Sequence, residues 1–99
     1  MRTYSNQFPR FILDVKLPDN FQDNSWGNDT MPCWINDNKS IILHIDYLNI
    51  QDREIEGFPR FFVSEYLDPQ IHLNDIGELL IQSDDWQEIE NFINSYEVK

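Results

Sequence analysis

The chain has 99 residues and one cysteine, carries a formal net charge of −11, and is 40% hydrophobic and 14% aromatic. That is enough chain for one core and no more, and too apolar for the composition of disorder. The lone Cys33 excludes an internal disulfide, no apolar run approaches the ~20 residues of a membrane-spanning helix, and so acidic a balance is unsuited to direct contact with nucleic-acid phosphates.

Residues 1–10 are polar and hold no apolar run of secretory type, so a cytoplasmic location without membrane association is expected. From Arg10 to Leu17 the pattern alternates, with Phe11, Leu13, Val15 and Leu17 on one side. It predicts a half-buried strand that Pro18 ends. Residues 18–39 are rich in Asn, Asp, Ser and Pro and read as a long loop, with a short strand at Cys33 to Ile35. A loop of that length in a small domain is functional or packed on its own side chains, and Phe21, Trp26, Met31 and Trp34 are available for the packing.

Ser40 to Leu48 is the clearest strand, with Ile41, Leu43, Ile45 and Tyr47 on one face. The charged connection from Gln51 to Gly57 reads as one helical turn or a solvated loop. Pro59 introduces a third strand, Arg60 to Leu67, rich in aromatic and β-branched residues. Asp68-Pro69 is a turn signal, and a shorter fourth strand covers Glu78 to Gln82.

The chain closes with a helix over about residues 84–97. Ser83, Asp84 and Asp85 are candidate caps, with Gln87 or Glu88 three residues on. Trp86, Ile89, Phe92, Ile93 and Tyr96 recur at helical spacing and form an apolar stripe. The predicted architecture is α+β: a single domain over residues 1–99, with a small antiparallel sheet of about four strands and a C-terminal amphipathic helix on one face.

The acids are unevenly distributed. Residues 61–99 hold nine acids against Lys99 alone, whereas residues 1–60 hold nine acids against six bases. Some of the excess is local, because Asp84, Asp85 and Glu88 suit the positive end of the helix dipole. The remainder is more than solubility needs and suits a basic protein partner. The candidate contact residues are Asp75 and Glu78 before the helix, then Asp84, Asp85, Glu88 and Glu90 at its start. Trp86 or Tyr66 is a candidate anchor for the centre of the contact.

No constellation names a reaction, and no cofactor or metal is expected. Counted from Asp37, the glycine and glutamate positions of a calcium loop hold Ile42 and Leu48. Cys33, His44 and His72 stand at spacings unrelated to zinc sites. Gly27, Gly57 and Gly77 are too far apart for a phosphate loop. Cys33 with His44 is the one nucleophile–base pairing worth naming, and it reads more simply as a buried hydrophobe beside a strand histidine.

The segment from Ser25-Trp26 through Asn28-Asp29, Pro32 and Trp34, then a hydrophobic strand, Arg53-Glu54, and Arg60-Phe61 with Val63, resembles a group of short bacterial proteins. Small acidic immunity proteins that neutralise toxins in contact-dependent competition are similar in size and charge. The resemblance spans residues 25–63 and carries no site residue across. Together with the charge, it makes an immunity protein or antitoxin, binding a cationic nuclease-type toxin, the leading expectation. A phage-type DNA mimic acting against restriction or CRISPR-type complexes is the alternative, and a small enzyme built on Cys33 and His44 is the third.

Overall fold

The computed structural model describes residues 3–25, 27, 31–67 and 76–97. A short helix, α1 (Tyr4–Gln7), precedes five strands: β1 (Gln22–Asp23), β2 (Cys33–Asn36), β3 (Ile41–Ile45), β4 (Phe61–Tyr66) and β5 (Ile76–Ser83). A single 3-10 turn (Ile50–Asp52) lies between β3 and β4, and α2 (Trp86–Ser95) follows β5. The strands form one sheet in the order β1-β2-β3-β4-β5, and every pairing is antiparallel. The fold is α+β, with five strands where about four were expected.

The sheet's two faces divide as the period of two requires. Trp34, Ile41, Leu43, Ile45, Phe61 and Val63 project to one side, and α2 delivers Ile89 and Ile93 into the same cluster. These two isoleucines are 0% and 1% exposed, while Trp86, Phe92 and Tyr96 pack around them, so the whole predicted stripe faces the core. Cys33, Ile35 and Ile42 form a smaller cluster on the opposite face, with Tyr66 against it.

The segment from Arg10 to Leu17 corrects the sequence expectation. It is extended, and its burial alternates as the pattern demands, with Phe11, Leu13, Val15 and Leu17 all in or against the main cluster. Yet it joins no ladder. A period of two reports an extended backbone with one side buried; it does not report a hydrogen-bonded neighbour. The segment crosses the core as a strap, and its fastening is polar: Arg60 donates two hydrogen bonds to the Asp14 carboxylate, one of them 3.1 Å long.

The expected long loop at 18–39 contains β1 as well as the expected short strand, here β2. Its described aromatics, Phe21 and Trp34, join the main core. Phe21 lies against that cluster and Trp34 is 3% exposed within it. Tyr4 completes an aromatic group there, at 5.7 Å from Trp34 and 5.9 Å from Phe11. Asp23 fixes α1 by accepting from the Tyr4 N–H at 2.7 Å. Trp26 and the Asp68-Pro69 turn lie outside the described residues. In β5, register shifts against Val63, Ser64 and Tyr66 mark bulges, which bend and twist an edge strand.

Candidate partner-binding surface

α2 begins at Asp85, whose Oδ1 accepts from the Gln87 N–H at 3.0 Å. Ser83 Oγ in turn accepts from the Asp85 N–H at 3.0 Å. The cap therefore uses one carboxylate oxygen of Asp85 and satisfies one of the donors that a helix start leaves open. Asp84 is committed elsewhere. Its Oδ1 accepts from the Arg60 N–H at 2.9 Å and from Arg53 Nη1 at 3.2 Å, tying the helix start to the β3–β4 connection.

Glu88 is exposed in the first turn, and Glu90 is half-buried, accepting from Gln87 Nε2 at 3.4 Å. Glu90 also lines a shallow cleft of about 350 Å³ with Lys16 and Lys39. Glu78 is exposed on β5, six residues before Asp84, so an extended strand sets their Cα atoms roughly 20 Å apart. Trp86 is half-buried, its ring 5.1 Å from that of Phe61. Tyr66 is also half-buried, against the second cluster. Asp75 lies outside the described residues.

The predicted acids are therefore not gathered at one point. The structure strings them along the β5–α2 layer, with Asp84 and Asp85 at the helix start, Glu88 and Glu90 along the helix, and Glu78 far down the strand. Both predicted anchors are largely spent on packing.

The bases are distributed in the opposite way. Of the five described, four have intramolecular partners. Arg10 pairs with Asp52 at 3.5 Å, Arg53 with Asp84 and Arg60 with Asp14. Lys39, on the β2–β3 turn, extends Nζ to the carbonyls of Ile93 and Tyr96 at the end of α2. It supplies from outside the helix the positive charge that the helix terminus lacks, since no basic residue stands in the last turn, and it meets the negative end of the dipole. Among the described residues, no base lies within ion-pair distance of Glu78, Glu88 or Glu90.

The connection between β3 and β4, residues 46–60, is the part of the surface that sequence reasoning missed. The buried Asp46 carboxylate accepts from the N–H groups of Tyr47 at 2.8 Å, Glu54 at 3.1 Å and Ile55 at 3.4 Å. Arg53 Nε donates to the Tyr47 carbonyl and Arg60 Nε to the Asp46 carbonyl, each at 3.0 Å. Asn49 caps the 3-10 turn through the Gln51 N–H. So pinned, the connection holds Leu48 61% and Ile50 76% exposed, and Ile12 of the strap is 74% exposed. A cleft of about 520 Å³ opens beside Ile50 and Phe58 and reaches Asp84. A smaller one of about 210 Å³ lies between Ile12 and Leu48. The available signal was the isolated Leu48 and Ile50 at the entrance to a charged stretch.

Two titrations are shifted by these contacts. The hydrogen bonds from Arg60 hold the Asp14 carboxyl below its usual range, against the opposing effect of burial. Burial first, then the neighbouring Glu54 carboxylate, push the Tyr47 phenol above its ordinary value, with Arg10 opposing.

The Cys33 and His44 pairing of the sequence is realised as a cross-strand pair, directly opposite each other in the β2–β3 register. Both are buried, Cys33 Sγ donates to the Asn24 carbonyl at 3.4 Å, and the His44 ring stacks on Phe62 at 4.6 Å. Among the described residues, no three His, Cys, Asp or Glu side chains converge as a metal site, and no helix is long and apolar enough to cross a membrane. No family model, curated protein or solved structure matches this chain.

Proposed function

We propose that the protein is an inhibitor of the immunity-protein or antitoxin class, which neutralises a cationic, nuclease-type toxin through its acidic surface. The observation that carries this reading is the division of charge. Four of the five described bases are engaged within the molecule, while Glu78 and Glu88 are exposed with no described base in ion-pair reach. Pairing leaves the net charge of −11 unchanged and concentrates its unneutralised part where Glu78 and Glu88 stand. A nuclease must present Lys and Arg to hold phosphates. Carboxylates set over that surface would compete with nucleic acid for it and speed the encounter. Such a protein would act by binding, without catalysis, and would work in the cytoplasm beside its toxin.

The test is to mix the purified protein with the product of the adjacent gene and to follow both complex formation and nuclease activity. The expected result is a stoichiometric complex that suppresses activity and weakens with salt. Failure to form a complex, or a complex indifferent both to salt and to Glu78→Lys with Glu88→Lys, would contradict the proposal.

A further inference from the structure

We propose that the centre of the partner contact is the apolar surface of the β3–β4 connection, around Leu48, Ile50 and Ile12. Its occupant is an aliphatic or aromatic side chain of a cationic protein, flanked there by Lys or Arg. The inference rests on the reading above and moves its hydrophobic centre away from the acidic helix.

Energetic hot spots need a large apolar contact that water can be driven from, surrounded by a polar rim. Trp86 is half-buried against Phe61 and offers only part of its surface. The large aliphatic groups most exposed are Ile50, Ile12 and Leu48. Chance exposure of single apolar residues is common on any protein, but here two of them, Leu48 and Ile50, occur on a connection held by hydrogen bonds to the buried Asp46 and Arg60. Asp46, 1% exposed, accepts from the N–H groups of Glu54 and Ile55, and Arg60, 4% exposed, donates Nε to the Asp46 carbonyl across the base of the connection. A preorganised loop loses little conformational entropy on binding, and that makes its exposed side chains effective anchors.

The rim selects the partner's charge. Asp84 and the exposed Glu56 line the cleft beside Ile50, Asp52 lines the one between Ile12 and Leu48, and the exposed Glu54 stands on the same loop. Arg10 and Arg53 are paired one to one with Asp52 and Asp84, so the excess negative charge of the rim is that of Glu54 and Glu56. A second copy of this chain would bring another −11 charges to the same surface, and like charges across an interface are strongly unfavourable. Asp84 also joins this patch to the start of α2, so one cationic partner could span both.

The test is an amide-detected NMR titration of the folded protein with the peptide acetyl-Lys-Leu-Arg-amide, and in parallel with acetyl-Glu-Leu-Glu-amide. The expected result is shifts at residues 47–58 and at Asp84 with the cationic peptide only. They should weaken about ten-fold in Ile50→Asp and diminish as salt rises from about 50 to about 500 mM. Shifts confined to α2 and Glu78, equal responses to the two peptides, or no shifts would overturn it, as would a dimer in sedimentation that Ile50→Asp dissociates. Toxin binding that survives Ile50→Asp unchanged would remove this inference and leave the inhibitor reading. A cationic-peptide response at this patch without any toxin complex would do the reverse.

Discussion

Carboxylates do two different jobs in this molecule, and the β3–β4 connection and the β5–α2 layer show the contrast. In the connection, Asp46 is buried and saturated with backbone donors, and Asp84 reaches in from the helix start to hold Arg53 and the Arg60 backbone. In the β5–α2 layer, Glu78 and Glu88 face solvent and hold no base among the described residues. A count of acids sees no difference between the two regions. Position decides whether a carboxylate is structural or available, so substitutions should split into one group that unfolds the protein and another that leaves the fold intact and changes binding.

The sharpest break should come at Asp46. Asp46→Ala leaves three backbone donors without their acceptor and is expected to cost about 3 kcal/mol, read as a lower urea midpoint at unchanged slope. Asp14→Asn follows, at about 2 kcal/mol, because the nearly buried Arg60 loses its ionised partner. Its effect has a pH signature. The folded-state pKa of Asp14 is depressed, so this contribution is complete above about pH 5 and is lost as pH falls through the ordinary carboxylate value of about 4 toward the lower folded one. Wild type and Asp14→Asn should therefore converge in stability near pH 2, as thermal melts across pH would show. The raised Tyr47 phenol works at the other end. Its contribution is present below about pH 10 and fades as pH rises through the folded value, so Tyr47→Phe should be less sensitive to alkali.

Lys39→Gln comes next. It removes a charge from the end of α2 and should cost about 1 kcal/mol, with earlier amide exchange in the last helical turn. The smallest effect belongs to the free acids. Glu78→Gln and Glu88→Gln should each change stability by less than about 0.5 kcal/mol, or raise it slightly as self-repulsion falls. A large loss there would collapse the distinction between structural and available acids.

Much of this was legible in sequence wherever one local pattern decides the outcome. The stripe from Trp86 to Tyr96 placed α2, the alternation from Ser40 placed β3, and the choice of caps included Asp85. What escaped detection depends on partners remote in the chain. Nothing near Arg10 to Leu17 says that the segment lacks a neighbouring strand, because burial and pairing leave the same period. The two-residue β1 is too short to carry a pattern. Lys39 lies more than fifty residues before the carbonyls it caps, and Asp46 looks locally like one more strand-end acid. For the candidate surface the gap is wider. Exposed Leu48 and Ile50 cannot be told from core residues until the fold shows which of them the core has left out.

In the proposed reading, the acids of the β5–α2 layer steer a cationic protein onto this surface. The most direct measurement is the association rate with the product of the neighbouring gene, by stopped flow, for wild type and for the combined variant Glu78→Gln, Glu88→Gln and Glu90→Gln. The account predicts that the wild-type rate falls at least about ten-fold between about 50 and 500 mM salt. The variant should associate more slowly at low salt, with a shallower dependence and unchanged stability. A complex whose association rate is flat in salt and identical in the variant would contradict it.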